Sequence, residues 1–170
     1  MGIKGKATTK KNGFPSMIKN LKMVNGSAVE AGVLKGEHVW LAPIHEYGLD
    51  IEVTPAMRAY LHGQGLHLKD STTHIHIPER AFLRTGYDQN RDKLLQKVQM
   101  LLQDVASGKM SAAQFHEAVG SSLRDAIKKY AIELNSPGNH PFTVDRKGSS
   151  NPLVGKTGDM IEGIIWRRAK

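Results

Sequence analysis

Histidine is the residue type that first suggests chemistry, because the chain has eight histidines and no cysteine. His74 and His76 alternate along a β-prone run, which places both imidazoles on one face of a strand, and His62 and His67 lie nearby in sequence. Three imidazoles would suit zinc or a non-haem metal. However, no carboxylate is spaced to complete such a site, and simple alternation explains two histidines on the wetter face of a half-buried strand. We therefore predict no metal site and no cofactor.

The other residues with catalytic potential lie in patterns that do not form a catalytic group. His45–Glu46 and His116–Glu117 are adjacent pairs, whose side chains point to opposite faces of a strand or about 100 degrees apart on a helix. Ser149 and Ser150 lie in a polar stretch without the Gly-x-Ser-x-Gly pattern of a serine nucleophile. Residues 155–157 (Gly-Lys-Thr) lack the first glycine of a phosphate-binding loop, because Ser150 stands at that position. We predict no catalytic residue and expect that the protein is not an enzyme.

The composition is that of a soluble globular protein of about one domain. The chain has 170 residues, of which 39% are hydrophobic and 24% charged, and its mean hydropathy is -0.39. The lack of cysteine excludes a disulfide framework and a thiolate zinc site. No apolar run approaches the roughly 18 residues of a membrane span, and no signal peptide is evident. We therefore expect a chain that is made in the cytoplasm and does not contact a membrane.

Most of the net charge of +8 lies near the N-terminus. No acidic residue precedes Glu30, and the six lysines before it leave residues 30–170 with only +2. We predict a basic, partly disordered arm over residues 1–26, in which Phe14 starts a short helix, and a single domain over residues 27–170. The arm either contacts DNA phosphates or an acidic neighbouring subunit, or is a solubilising tail. The candidate contact residues are Lys4, Lys6, Lys10 and Lys11.

Periodicity predicts the elements that must position these residues. Residues 28–34 and 39–44 are β-prone runs with a turn between them, which predicts two antiparallel strands, and residues 72–77 predict a third. Thr54 and Pro55 predict the start of a short helix. Apolar stripes over residues 94–105 and 115–134 predict two long amphipathic helices.

Local signals refine the second half of the chain. Ser111 and Gln114 form a capping-box pattern at the start of the second long helix. Gly120 within that helix predicts a close packing contact, since glycine there costs up to about 1 kcal/mol relative to alanine. Residues 135–139 end the helix, a loop is predicted up to Gly158, and residues 160–166 predict a last strand. The expected fold is α+β: a small antiparallel sheet packed against two long amphipathic helices, with a flexible basic N-terminal arm.

Three polar stretches carry a resemblance to a known family. They are residues 44–48 (Ile-His-Glu-Tyr-Gly), residues 77–84 (Ile-Pro-Glu-Arg-Ala-Phe-Leu-Arg) and residues 147–153 (Lys-Gly-Ser-Ser-Asn-Pro-Leu), the last followed by Thr-Gly-Asp-Met at 157–160. In this order, with two long helices between the second and third, they resemble the signatures of tailed-bacteriophage neck and tail-completion proteins, a group that includes head–tail joining, minor tail protein Z-like and virion morphogenesis proteins. The resemblance covers about residues 28–168. Lys156 and an insertion over residues 60–69 depart from the family pattern.

The resemblance implies a structural virion protein that completes the tail and joins it to the capsid connector. It implies a homo-oligomeric ring at the head-to-tail junction, expected as a hexamer with a dodecamer as the alternative. The implied partners are the adjacent connector and tail proteins, with DNA passing through the lumen without sequence recognition. Signature positions expected at interfaces are Glu46, Tyr47, Gly48, Pro78, Arg80, Phe82, Lys147, Gly148, Ser149, Pro152, Thr157 and Gly158.

Two further interpretations stay open. From the residues themselves, the Arg80 guanidinium either pairs with a carboxylate or only ties down its own loop, and Phe82 is expected in the core or against a neighbour. The alternative functions are a nucleic-acid-binding accessory protein that uses the basic arm, and a small histidine–metal hydrolase.

Overall fold

Helices dominate the chain, and its strands form two small antiparallel sheets. The computed structural model describes residues 13–37, 39–155 and 158–169. The helices are α1 (Phe14–Val24), α2 (Leu41–Tyr47), α3 (Pro55–Gly63), α4 (Phe82–Asp88), α5 (Arg91–Ala106), α6 (Ala112–Glu133), α7 (Pro141–Lys147) and α8 (Asp159–Glu162). The strands are β1 (Val29–Val33), β2 (Leu49–Glu52), β3 (His74–Ile77) and β4 (Ile164–Arg168). The predicted α+β class is confirmed.

The strands pair differently from the predicted hairpin. β1 pairs with β4, from Val29 opposite Arg168 to Val33 opposite Ile164. β2 pairs with β3 in a separate two-stranded sheet, from residue 49 opposite 77 to residue 52 opposite 74. The prediction of a strand at residues 39–44 is wrong, because α2 begins there. Proline cannot donate to a strand ladder but is tolerated in the first turn of a helix, which is where Pro43 lies.

The two predicted long helices are confirmed as α5 and α6. The capping box is present, since Ser111 Oγ accepts from the backbone of Gln114 and the Gln114 side chain accepts from the backbone of Ser111. The predicted close contact at Gly120 is confirmed as well: a Cβ atom there would lie 2.2 Å from the ring of Trp166 on β4. Glycine therefore lets β4 pack directly on α6.

One hydrophobic core joins α6 to α2, α4, α8 and the β1–β4 sheet. Its buried side chains include Val33, Ala42, Phe82, Ile127, Ala131, Leu134, Leu153, Met160, Ile161 and Ile164. Among the described residues, none of the helices combines the length and the apolar character that crossing a bilayer requires.

The described part of the predicted arm is a helix that packs on the body. The short helix predicted at Phe14 is confirmed as α1, which contacts α5 and α6. Met17 on α1 approaches Gly108, which has a positive φ of 74° after the end of α5. The predicted contact residues Lys4, Lys6, Lys10 and Lys11 lie outside the described residues.

The predicted loop over residues 135–158 is wrong in part, because α7 lies within it. Pro141 takes the first helical turn, His140 Nδ1 accepts from the backbone N–H of Phe142, and Gly148 ends the helix with a φ of 70°. The predicted last strand begins later than expected: residues 159–162 form α8, and β4 starts at Ile164.

Candidate functional site

Glu46 is a buried carboxylate that ties the first signature to the second. Its side chain, 3% exposed, accepts from the backbone N–H groups of Leu83 at 2.8 Å and Arg84 at 3.1 Å. These N–H groups lie in the first turn of α4, where a carboxylate is favoured by the free donors and the helix dipole. The Arg84 Nε atom donates to the same carboxylate at 2.9 Å. Glu46 thus holds α4 against α2.

Gly48 and Tyr47 complete this junction. Gly48 has a φ of 74°, and a Cβ atom there would lie 2.8 Å from the carbonyl oxygen of Ile77 and 2.9 Å from the nitrogen of Glu79. Only glycine fits such a close approach. The guanidinium of Arg84 lies over the Tyr47 ring, 4.9 Å from its centroid. The first two signatures therefore meet at the base of the β2–β3 sheet.

Arg80 ties the second signature to the segment that follows α6. Its Nε atom donates to the Pro137 carbonyl oxygen at 3.0 Å. Its Nη2 atom donates to the Gly138 carbonyl oxygen at 3.3 Å and to Asn139 Oδ1 at 3.0 Å. Its Nη1 atom donates to His45 Nδ1 at 2.9 Å. The side chain is buried and holds residues 137–139 against α2.

Among the described residues, no carboxylate pairs with Arg80, so the interpretation of Arg80 as an ion-pair partner is wrong. Glu46 and Glu79 both accept from Arg84 instead, at 2.9 and 2.6 Å. Arg84 lies in the first turn of α4, four residues after Arg80, and is half-exposed, so it can reach both. These hydrogen bonds raise the pKa of Arg84, the Glu46 bond most strongly.

Lys147 and Asn151 bring the third signature to the same place. Lys147 Nζ donates to the carbonyl oxygens of Asn151 at 3.2 Å and Pro152 at 3.0 Å. Asn151 Nδ2 donates to the carbonyl oxygen of Ala131 at 3.0 Å, near the end of α6. Pro152 is fully buried. The third signature lies near the other two, since the charge of Lys147 lowers the pKa of His45. The four stretches are here called the signature network: residues 45–48, 79–84, 137–139 and 147–153.

The charges of Arg80 and Lys147 act on neighbouring groups of the signature network. Burial, then Arg80 and Lys147, lower the pKa of His45 to about 4, so its ring is neutral at pH 7. Burial and the neighbouring Arg80 also lower the pKa of Lys147, and burial lowers that of Arg80. Two cations and a neutral imidazole therefore share a partly desolvated region.

The remaining signature residues have mainly structural positions. Phe82 is fully buried in the core, as predicted, and not at a surface. Pro78 directly follows the last residue of β3, also as predicted. Gly148 ends α7, the half-buried Ser149 follows it, and Gly158 precedes α8 with a φ of 71°. Thr157 lies outside the described residues.

A second feature stands out beside the signature network, namely residues 49–77, here called the extension. It comprises β2, α3 and β3. The structure describes every residue of this stretch, and none of them is buried. Leu49 and Tyr60 are exposed apolar side chains, Tyr60 to 64%. Neither long helix covers this sheet.

The extension nevertheless has a defined internal structure. Thr54 Oγ1 accepts from the backbone N–H of Met57 and so caps α3, as the sequence predicts. Arg58 donates to the carbonyl oxygens of Leu68, Lys69 and Thr72, which fastens the segment between α3 and β3. One contact joins its middle to the body: Arg146 on α7 donates to the Gln64 carbonyl oxygen at 2.8 Å.

The histidines of the extension do not assemble with further ligands. His74 and His76 lie on the exposed face of β3, as predicted, and His76 pairs with Asp50 at 2.8 Å. His62 and His67 hydrogen-bond to each other through Nδ1 at 2.8 Å. Among the described residues, no group of three or more His, Asp or Glu side chains is placed to hold a metal ion.

Comparisons with known proteins found no match: no protein-family model, curated protein or solved structure matches the chain. The signature network and the extension therefore rest on the residues and contacts described above.

Two contacts of the signature network were not predicted from the sequence. His45 belongs to the first signature, but nothing predicted its hydrogen bond with Arg80, and residues 137–139 were predicted only as a helix break. Their meeting depends on contacts far apart in sequence, and no local pattern signals it. The concentration of prolines and glycines after α6 is the nearest sequence clue.

Proposed function

We propose that this chain is a structural protein of a tailed-phage head-to-tail junction, which assembles as a ring of identical subunits and joins the tail to the capsid connector. The observation that carries the assembly is the extension, since none of residues 49–77 is buried. The resemblance of the three signatures supplies the location in the virion, the partners and the expected hexamer.

An extension of this kind gains stability from a partner. A two-stranded sheet alone is marginally stable in water and presents unpaired N–H and C=O groups along both edges. The exposed Leu49 and Tyr60 add apolar surface that a contact would remove from water. Because Glu46, Gly48 and Arg84 fasten its base, the extension is held in a fixed direction.

A ring requires a second, different surface on each subunit. Heterologous contacts close into rings when the rotation between subunits fits, and they join two unlike patches. The exposed surface of α5 is a candidate for the second patch. Met100 is 60% exposed and Leu95 45%, and Val105 is the one buried residue of the helix. We assign the extension of one subunit to the exposed surface of α5 in the next.

Molar mass by light scattering tests the proposal. The full chain is measured over a range of concentrations at two salt levels, beside Tyr60→Ser in the extension and Tyr87→Ser on α4 as the matched control. We expect a discrete ring-sized species for the unmodified chain and for Tyr87→Ser, and a shift to monomer for Tyr60→Ser.

Two results would overturn the proposal. One is a chain that stays monomeric at every concentration, and the other is a ring that Tyr60→Ser leaves as stable as Tyr87→Ser does. A monomer that binds DNA with an affinity falling steeply between about 50 and 200 mM salt would support the nucleic-acid-binding alternative instead.

A further inference from the structure

Arg80 and Lys147 are two partly desolvated cations that lie near each other, since the charge of Arg80 lowers the pKa of Lys147, and neither has an anionic partner among the described residues. Arg80 is 5% exposed, and Lys147 is half-buried. Among the described residues, no ion pair includes either of them; their partners are carbonyl oxygens, Asn139 and His45. Buried charges are normally paired, because partial dipoles compensate poorly for lost hydration. We therefore expect a counter-ion beside this pair of like charges.

Hydrogen-bond donors remain free around these two cations. The guanidinium of Arg80 has only donors, so His45 Nδ1 must be the acceptor of their bond, and the ring proton lies on Nε2 as a further donor. Asn139 Oδ1 accepts from Arg80, which fixes the orientation of the amide. Asn139 Nδ2 belongs to the same amide and so lies beside the Arg80 guanidinium, and it is buried with no hydrogen-bond partner in the described part of the chain.

The cations keep spare donors as well. Lys147 Nζ uses two of its three N–H groups on the carbonyl oxygens of residues 151 and 152. Arg80 Nη1 uses one of its two on His45. His45 and Lys147 are each partly exposed, so solvent reaches this side of the network. The result is a set of donors with two positive charges, and no acceptor among the described residues pairs with these donors.

We propose that Arg80, Lys147, His45 and Asn139 form a binding site for an oxyanion, either a carboxylate or a phosphate group. The anion neutralises the two cations and accepts from the spare donors, the orphaned Asn139 amide among them. Charge-assisted hydrogen bonds of this kind are stronger than neutral ones. The site belongs to the single subunit and does not depend on the proposed ring.

Inorganic phosphate is the probe for the first experiment. Thermal unfolding of the full chain is followed as chloride is replaced by phosphate at constant ionic strength, for the unmodified chain, Lys147→Gln and the control Lys129→Gln, whose ammonium lies on the exposed side of α6. We expect a saturable rise in Tm. Lys147→Gln should weaken the phosphate midpoint about ten-fold, since one charge-assisted bond is lost, and Lys129→Gln should leave it unchanged.

Titration of His45 by NMR gives a second readout that a purely structural network would not move. An anion beside the ring favours the imidazolium, so phosphate should raise the pKa of His45 from its low value. This measurement does not require a variant to fold. A Tm response that is equal in all three proteins, together with a His45 pKa that phosphate does not change, would overturn the proposal.

The source of the anion is settled by repeating the phosphate titration on dilute and on assembled protein. Binding in both states assigns the site to a free anion, and binding to the dilute protein alone assigns it to a carboxylate of the neighbouring subunit. Both results support the site. A chain that never assembles but binds phosphate would contradict the ring proposal and support the oxyanion site.

Discussion

The body of the protein and the extension are stabilised in different ways. In the body, Phe82, Val105 and Ala131 are removed from water completely, and Glu46 has its charge matched by Arg84 and two backbone N–H groups. In the extension, the best-covered side chains, such as Ile51 and Ile75, stay partly exposed. Its order rests on hydrogen bonds that water can reach.

This difference separates what one subunit needs to fold from what an assembly needs to form. Substitutions in the body should change the free energy of unfolding by several kcal/mol. Equivalent substitutions in the extension should change it little and act on subunit contact instead. Matched pairs of variants, one in each region, test that division.

The largest expected effect is at Glu46. Glu46→Gln removes the charge that pairs with Arg84 and weakens the cap of α4, so we expect a loss of about 3 to 4 kcal/mol in the free energy of unfolding. Glu52→Gln on the exposed side of β2 should stay within about 0.5 kcal/mol. Urea unfolding followed by circular dichroism measures both. Equal losses would remove the distinction between the two regions.

Glycine in the interior of α6 and at the last residue of α3 gives the second comparison. Gly120→Ala places a Cβ atom against the Trp166 ring and should destabilise the protein by about 2 to 3 kcal/mol. Gly63→Ala in α3 meets no atom within 4 Å and should stabilise by up to about 1 kcal/mol through helix propensity. Urea unfolding followed by circular dichroism measures both changes in the free energy of unfolding. A destabilising Gly63→Ala would mean that α3 is packed more tightly than its exposure indicates.

Acid should lower the free energy of unfolding of the body, because His45 is neutral in the folded protein. Its pKa in the folded protein is about 4 and near 6.5 in the unfolded chain, so the unfolded state binds the proton first as pH falls. The contribution of His45 to the free energy of unfolding is therefore fully present above about pH 6.5 and is lost as the pH falls from about 6.5 to 4. Because the ring keeps partial contact with water, we expect a contribution of about 2 kcal/mol.

His45→Gln, whose amide oxygen can still accept from Arg80, should flatten this pH dependence in part. Burial and Arg168 lower the pKa of His116 as well, so some slope of the same sign should remain. Tm measured from pH 4 to pH 7.5 gives the comparison. An unchanged profile in His45→Gln would show that other groups cause the acid sensitivity.

The smallest expected effect is in the extension. Asp50→Asn breaks the pair with His76, in which both side chains are two-thirds exposed. Exposed pairs contribute little, so Tm should change by an amount equivalent to less than about 0.5 kcal/mol. A loss as large as that of Glu46→Gln would contradict the proposed independence of the extension.

Local sequence patterns predicted the elements that are stabilised locally. The apolar periodicity of α5 and α6 and the caps at Thr54 and Ser111 are recorded within a few neighbouring residues. Gly120 signalled a close contact because glycine is unfavourable within a helix, although its partner, Trp166, is distant in the chain. For Phe82 the core and a neighbouring subunit were both open, and the structure places it in the core.

What the sequence did not predict depends on contacts distant in the chain. β1 pairs with a strand more than a hundred residues away, and a hairpin signal between residues 34 and 39 outweighed it. Residues 39–44 were predicted as a strand, but Pro43 lies in the first turn of α2. Nothing in the sequence near Arg80 indicates that Arg84, rather than Arg80, pairs with both Glu46 and Glu79.

Hydrogen–deuterium exchange across assembly tests the central claim most directly. The full chain is exchanged below and above the concentration at which subunits associate, and protection is read from peptides that cover residues 49–77 and from peptides of α6. We predict that the extension exchanges rapidly in the dilute protein and gains strong protection on assembly, whereas α6 is protected equally in both. Exchange of residues 49–77 at the same rate in both states would contradict the account.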